Sequence, residues 1–250
     1  MPMSKMYSKS VMQWNPFVGC EFGCQYCKKS FQRMLKWVGV MQSCKKCSSF
    51  APHTHPGRLT AKFPRTKDGE FIFTCSTGDI SFCDPSYRNK ILEVIRANPD
   101  RTFLIQSKNP GALKSVDFPE NVILGTTLET NRVKEYAGVS KAPLPEQRFM
   151  DLLVIDHPKK MITIEPVIEF DPDIMKEWVR TIKPVMVWIG YDSRKSGLIE
   201  PATAKVLRFI EDLESEGFNV IPKLIRAPHP VLGILSPISR SRKTMVKAEQ

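Results

Sequence analysis

Three cysteines at the spacing C-x3-C-x2-C stand close together near the amino terminus: Cys20, Cys24 and Cys27. Gly19 and Gly23 give the loop that carries them the freedom to fold tightly. Three thiolates on so short a loop can surround one compact metal centre. A closed zinc site or an electron-transfer cluster normally takes four protein ligands, so three leave one metal position open to a small molecule. The alternative is a structural zinc site that a distant cysteine or histidine completes.

A second group of metal-binding residue types follows farther along the chain. It spans twelve residues and consists of Cys44, Cys47, His53 and His55. Two thiolates and two imidazoles could close a tetrahedral zinc site that holds together an insertion without a core of its own. The gap between the two pairs is short, which predicts a knuckle-like loop. The alternative is a set of solvent-facing side chains without a metal, or one in which two of the four are bystanders.

The elements that must position these residues are short β-branched runs alternating with helical patterns, which is typical of a parallel βαβ architecture. The predicted strands are Val11–Val18, Phe71–Cys75, Thr102–Ser107, Val122–Thr127, Met161–Val167, Val185–Tyr191 and Asn219–Ile225. Six or seven units favour an α/β fold of the partial (β/α)6-type TIM barrel, with a small Cys/His-containing insertion after the first cysteines. A doubly wound open sheet would show the same alternation.

Helical patterns lie between the strands. They cover Ser86–Ala97, a segment that opens at Asp171, and a segment from about Pro201 to Glu216. The last of these is predicted to bury Val206, Leu207, Ile210 and Leu213 and to end at Gly217, which suits a left-handed cap.

Polar residues follow the predicted strands at the points where a barrel gathers its chemistry. They are Asp79, Lys108, Glu129 and Asp192, with Glu165 near the end of its own strand. Glu165 stands in a mostly apolar run, where an unpaired charge is costly and a partner is required. Any single carboxylate at such a position could instead cap the next helix.

The cysteine spacing, with Tyr26 before the last cysteine, resembles the signature of radical S-adenosylmethionine enzymes. A closer resemblance extends along most of the chain, to the uncharacterised three-cysteine radical-SAM-like proteins often carried by phages and archaea. The matching segments are Trp14-Asn15-Pro16, Ser76-Thr77-Gly78-Asp79, Gln106-Ser107-Lys108-Asn109-Pro110, residues 124–131, Ile164-Glu165-Pro166 and Trp188-Ile189-Gly190-Tyr191. Lys28 departs from that pattern, because the family usually carries a second tyrosine there.

The resemblance implies a catalytic role for Cys20, Cys24 and Cys27 as ligands of a [4Fe-4S] cluster. The open iron would chelate the amine and carboxylate of S-adenosylmethionine, and an electron from a donor such as flavodoxin or ferredoxin would cleave the sulfonium to a 5′-deoxyadenosyl radical. The cofactor-binding residues that it implies are Gly78 and Asp79 at the methionyl amine, Lys108 at the carboxylate, Thr127 and Glu129 at the ribose, and Glu165.

The formal charge of +11 is concentrated in two places, the segment from Lys28 to Lys67 and the tail at 236–250. Ten Lys or Arg and no Asp or Glu lie from Lys28 to Lys67, interspersed with Phe31, Trp37, Phe50 and Phe63. This pattern predicts a nucleic-acid or nucleotide substrate, because positive charge attracts phosphates and exposed rings stack on bases. The alternative is an amphipathic helix over 28–41 whose solvated face carries the charge. The second functional hypothesis is a zinc-stabilised nucleic-acid-binding protein without catalysis.

The expected organisation is a barrel over residues 1–235, with an insertion at 28–70, and a basic, disordered tail at 236–250. The chain has no run of eighteen apolar residues and no signal-peptide pattern, so we expect a cytoplasmic protein without membrane contact.

The seven cysteines are odd in number and closely spaced, which favours reduced thiols and metal binding over disulfides. Cys75 and Cys83 receive no role.

Overall fold

The computed structural model describes residues 6–29, 32 and 43–228, and it contains a seven-stranded parallel sheet. The strands are β1 (Ser10–Trp14), β4 (Phe71–Thr74), β5 (Phe103–Gln106), β6 (Val122–Thr127), β7 (Lys160–Ile164), β8 (Met186–Ile189) and β9 (Val220–Pro222). Their order in the sheet is their order in the chain. The result is a half-barrel, which confirms the predicted partial TIM-type α/β fold.

The described helices connect the strands or precede them. They are α1 (Gln25–Lys29), α2 (Lys45–Ser49), α3 (Pro85–Arg96), α4 (Val133–Tyr136), α5 (Pro145–Val154), α6 (Pro172–Ile182) and α7 (Thr203–Ser215). Helix α7 stops before Gly217, whose φ of 86° confirms the predicted left-handed end. The prediction that Leu207 is buried was wrong: it is 44% exposed, because the buried face follows the 3.6-residue period through Val206, Phe209, Ile210 and Leu213.

The predicted strand Val11–Val18 is divided in two. Strand β1 ends at Trp14, and β2 (Phe17–Val18) pairs antiparallel with β3 (His53–Thr54) in a separate two-stranded sheet. The break falls at Asn15-Pro16, because Pro16 has no N–H to donate to a ladder. The Asn15 side chain instead accepts hydrogen bonds from the Thr77 nitrogen at 3.0 Å and from Ser76 Oγ at 3.1 Å.

The two faces of the sheet have separate cores, because alternate residues point to opposite sides. The outer face packs Ile72, Ile105 and their neighbours against the helices. The inner face carries Phe71, Phe73, Leu104 and Trp188, and the fully buried Tyr7 packs among them. The inner side of the half-barrel is therefore filled by side chains at this level.

Several predictions fall outside the described residues. They are the amphipathic helix over 28–41, apart from the end of α1 and residue 32, and the disordered tail at 236–250. The division into a barrel over 1–235 with an insertion at 28–70 stays a prediction. Within the described ranges, none of the helices has the length and apolar character needed to cross a membrane.

Candidate cofactor and metal sites

The three-cysteine loop, residues 19–29, begins at the carboxyl edge of the sheet. The Gly19 nitrogen donates to the Thr77 carbonyl at 3.0 Å, and the Asp79 nitrogen donates to the Gly19 carbonyl at 3.1 Å. These bonds form an isolated parallel bridge between Gly19 and Gly78, directly after β4. A Cβ on Gly78 would lie 2.9 Å from both the nitrogen and the oxygen of Gly19. Gly78 therefore serves the close approach of two backbones, immediately before Cys20.

Cys24 immediately precedes helix α1, which contains Cys27, and both cysteines lie in a mostly apolar pocket. Cys24 is buried, and its Sγ lies 3.1 Å from Ser140 Oγ. The Gln25 nitrogen donates to the Val139 carbonyl at 2.8 Å, so residues 139–140 anchor the start of the helix. Side chains around the three cysteines are Phe22, Tyr26, Phe82, Tyr136, Val139, Ala142, Ile168 and Leu198. The three thiols thus share one mostly apolar pocket, in which Cys24 is buried and Cys20 and Cys27 are half-buried.

The Lys108 ammonium stabilises the thiolate form of all three cysteines. Burial and the nearby Asp79 raise the pKa of Cys20 to about 12, and Lys108 opposes that shift. Hydrogen bonding between Cys24 and Cys27 holds the pKa of Cys24 below its ordinary value and that of Cys27 above it. Lys108 lowers the pKa of both. A cation at this point favours the deprotonated sulfurs that bind metals.

Glu129 is a fully buried carboxylate at the centre of a charged network. Its Oε1 accepts from Tyr26 Oη at 2.6 Å and from Lys108 Nζ at 2.5 Å. Its Oε2 lies 2.8 Å from the buried Arg148 guanidinium, a contact of opposite charges rather than an aligned hydrogen bond. Burial raises the pKa of Glu129, but Arg148 and Lys108 outweigh burial and set it at about 2. These contacts favour a positioning role, and the ribose contact stays a prediction.

Asp79 has both carboxylate oxygens engaged inside the protein. Oδ1 accepts from the Ser81 nitrogen and hydroxyl and from Ser107 Oγ, and Oδ2 accepts from the Lys108 nitrogen at 2.7 Å. Asp79 therefore ties the turn after β4 to the turn after β5. The predicted contact with a methionyl amine stays a prediction.

The remaining predicted cofactor residues lie farther along the same edge. Glu165 pairs with Lys223 at 2.6 Å, which supplies the partner that its apolar surroundings require. Burial raises the pKa of Glu165 although Lys223 opposes it. Thr127 is buried, and its Oγ1 accepts from Gln106 Nε2 at 2.9 Å.

The Cys/His loop, residues 44–55, brings four potential ligands together. The ligand atoms of Cys44, Cys47, His53 and His55 all lie within 4.8 Å of one another, so this group could hold a metal ion. Cys47 Sγ lies 3.2 Å from His53 Nε2 and 3.1 Å from His55 Nε2. The other ring nitrogen of His53 lies 2.7 Å from the Ala51 carbonyl, the outer contact that usually fixes a metal-binding imidazole. Burial lowers the pKa of His55 to about 4, which keeps it in the neutral, ligating form.

Sequence reasoning missed several residues of this edge. Arg148 had little signal: it lies four residues before the buried Leu152, in a segment where the exposed Met150 and Val154 obscure the apolar period. Lys223 stands within a predicted strand. It pairs with Glu165 only because the sheet places the ends of β7 and β9 on either side of β8. Tyr7 and Gln106 had no signal, because Tyr7 Oη reaches Gln106 Oε1 across 99 positions of the chain.

Taken together, the fold and this edge define an α/β half-barrel with a three-cysteine loop at the carboxyl ends of its strands. Residues 7–180 match the family described as "Protein of unknown function (DUF5131)", and the chain belongs to that family. No curated protein matches the chain.

Two of the solved structures that the chain resembles are of SuiB from Streptococcus suis. One is SuiB bound to S-adenosylmethionine, with 10% identity, a TM-score of 0.50, and coverage of 85% of this chain and 50% of SuiB. The other is SuiB bound to its precursor peptide SuiA, with 10% identity, a TM-score of 0.50, and coverage of 85% and 48%. At this identity the likeness shows the fold alone. The chain spans about half the length of these structures.

Proposed function

We propose that this protein is a radical S-adenosylmethionine enzyme. The observation that carries the proposal is the meeting of Cys20, Cys24 and Cys27 in one pocket, at the carboxyl edge of a half-barrel, under the charge of Lys108. The likeness of the fold to SuiB, crystallised with S-adenosylmethionine, supports it. Ligands in α/β folds bind at this edge of the sheet.

The residues present fit a [4Fe-4S] cluster with one open iron. In the described part of the chain, only the Cys/His loop brings its ligand atoms within 4.8 Å of one another, the spacing of a single-ion site. The three cysteines fit a cluster by their chemistry, because three thiolates in one apolar pocket leave one iron of a [4Fe-4S] cluster without a protein ligand. When bound with S-adenosylmethionine, the cluster supplies one electron that cleaves the sulfonium into methionine and a 5′-deoxyadenosyl radical.

The protein's own residues would bind and orient the cluster and S-adenosylmethionine. The three thiolates hold the iron, and Tyr26 fixes α1 to Glu129. Lys108 balances the charge of the thiolates and lies at the edge where the methionyl carboxylate would bind. Gly78, Asp79, Thr127 and Glu165 are proposed to line the same cofactor, with Asp79 also ordering the turns around it.

The Cys/His loop is proposed to hold one zinc ion. Zn–S bonds of about 2.3 Å and Zn–N bonds of about 2.0 Å place tetrahedral ligands roughly 3.5 Å apart. The distance between Cys44 Sγ and His53 Nε2 is 3.5 Å, and those from Cys47 are 3.2 and 3.1 Å. A diiron cluster would hold its cysteine and histidine ligands at opposite ends, so these short distances favour a single ion.

The substrate class that we propose is a nucleic acid or nucleotide. The exposed Lys45 and Lys46 on α2 belong to the ten uncompensated basic residues, and Arg58 follows them. Such charge binds phosphates. The electron donor is proposed to be a protein such as flavodoxin or ferredoxin, and the location to be the cytoplasm, where thiols stay reduced.

The proposal is tested by anaerobic reconstitution with iron and sulfide, followed by dithionite and S-adenosylmethionine. We expect about four iron atoms per chain with acid-labile sulfide, and release of 5′-deoxyadenosine. Alanine in place of Cys20, Cys24 or Cys27 should abolish both. Cys83→Ala is the matched control, because that buried thiol lies outside the three-cysteine pocket. Release of 5′-deoxyadenosine by all three cysteine variants would overturn the proposal.

The second candidate is a zinc-stabilised nucleic-acid-binding protein without catalysis, which the geometry of the Cys/His loop favours on its own. Metal analysis after anaerobic purification separates the two. Two zinc ions per chain and no iron would support the binding protein, whereas one zinc with iron and sulfide supports the enzyme.

A further inference from the structure

We propose that the metal of the Cys/His loop acts as a positioning device for Cys20, so that loss of this metal releases the first ligand of the iron–sulfur cluster. This inference rests on the proposed function for its meaning, but its structural basis is independent of the iron. The two sites are joined by backbone contacts, and each contact starts within a few residues of a proposed zinc ligand.

The first connection runs through the small sheet. Val18 pairs with His53, and Phe17 pairs with Thr54, so β3 begins at a ligand and ends next to one. The His55 nitrogen also donates to the Pro16 carbonyl at 2.7 Å. The two histidines therefore hold the segment that leads directly into Gly19 and Cys20.

The second connection reaches Cys20 itself. The Cys20 nitrogen donates to the Phe50 carbonyl at 3.2 Å, and the Phe50 nitrogen donates to the Cys47 carbonyl at 3.1 Å. Phe50 has a left-handed φ of 59°, which is uncommon for a residue with a side chain. A zinc–thiolate bond at Cys47 would hold this conformation and, through it, the amide of Cys20.

The fit between the loops leaves no space for a side chain. A Cβ on Gly19 would lie 2.3 Å from the Ala51 oxygen and 2.5 Å from the Pro52 nitrogen. Gly19 has a φ of 104°, a conformation that favours glycine. The start of the three-cysteine loop is thus clamped between residues 50–52 on one side and the turn at 77–79 on the other.

Within the described residues, apolar packing gives the Cys/His loop little support of its own. The small apolar cluster around it has two buried members, Cys47 and Val18 of β2, with Cys44 and Phe50 half-buried beside them. We expect a bound metal to supply part of the free energy that holds a loop with so small a described core in place. Removing the ion should therefore release Phe50 and β3, and with them the clamp on Cys20.

The experiment measures Cys20 without using the cluster. Cluster-free protein is prepared with and without zinc, and alkylation of each cysteine is followed by mass spectrometry. Loss of zinc, by chelation or in Cys44→Ala and His55→Ala, should accelerate labelling of Cys20 roughly tenfold or more, since local opening exposes it. Cys24 and Cys27 should change much less, because α1 is anchored by residues 139–140. Iron uptake on later reconstitution should fall in parallel.

Two further variants keep the test decisive. Cys44→His retains a zinc-binding donor and should restore both zinc content and the protection of Cys20. Cys83→Ala should leave both unchanged, and circular dichroism identifies any variant whose barrel does not fold. Two results would overturn the inference and leave the proposed function intact. One is that purified wild-type protein contains no zinc, and the other is that Cys20 is labelled at the same rate after zinc is lost. Zinc-dependent labelling in a protein that binds no iron would instead support the clamp and count against the proposed function.

Discussion

Tyr26 donates a hydrogen bond of 2.6 Å to Glu129, a carboxylate without solvent exposure that also contacts Lys108 and Arg148. The residue next to Cys27 is thereby fixed to the charge network that follows β6. A shift in this network would move α1 and with it Cys27.

Glu129→Gln should destabilise the protein strongly. The substitution preserves shape but leaves Arg148 and Lys108 without a counter-charge in a buried site, which costs on the order of 3–5 kcal/mol of unfolding free energy. Urea unfolding of cluster-free protein measures the change. Glu216→Gln, at the exposed pair with Arg180, is the matched control and should change stability little.

Wild-type protein and Glu129→Gln also allow a test by pH. The pKa of Glu129 falls from its ordinary 4.5 to about 2 on folding, so its stabilising effect is complete above pH 4.5 and is lost as the pH falls toward 2. The stability difference between wild type and Glu129→Gln should be constant near neutral pH and shrink in that acidic window. A constant difference down to pH 2 would contradict the assigned pairing.

Gly19→Ala should displace the start of the three-cysteine loop. Its new methyl group would collide with the Ala51 carbonyl, and its positive φ adds strain of about 1 kcal/mol or more. We expect lower thermal stability and poor iron retention after reconstitution. Gly57→Ala is the control, because a Cβ there meets nothing within 4 Å. Equal iron retention in the two variants would show that the close approach has no consequence.

Lys223→Met should increase the dependence of the protein's stability on pH through Glu165. Burial already raises the pKa of Glu165, and loss of Lys223 raises it further. A carboxyl group with a raised pKa favours the folded state only while it is protonated, so the variant should lose stability as the pH rises above 4.5. Adding Glu165→Gln should abolish this extra dependence. If Lys223→Met follows the wild-type pH profile, Glu165 has another partner.

Much of the fold was predictable because the parallel strands are buried on both faces and read as continuous apolar runs. The prediction for Val122–Thr127 coincides with β6. Helix α5 was missed for a physical reason: its buried face contains Arg148 and Asp151, while Met150 and Val154 are exposed, so its apolar period is obscured.

Candidate ligands could be predicted from local spacing, but the contacts around them could not. Cysteine and histidine spacing is local and can be read from the chain, as for the group at 44–55. The pairing of Lys108 with Glu129, and the clamp of Phe50 on Cys20, depend on sheet register and on loop contacts between distant segments. These relationships arise only when the strands are assembled, so sequence spacing cannot give them.

The most direct test of the central claim is electron paramagnetic resonance of the reduced, reconstituted protein with and without S-adenosylmethionine. An open iron beside three cysteine ligands predicts that S-adenosylmethionine changes the cluster signal, and that isotopic labels in its amine and carboxylate couple to the iron. A cluster signal that S-adenosylmethionine leaves unchanged would contradict the account.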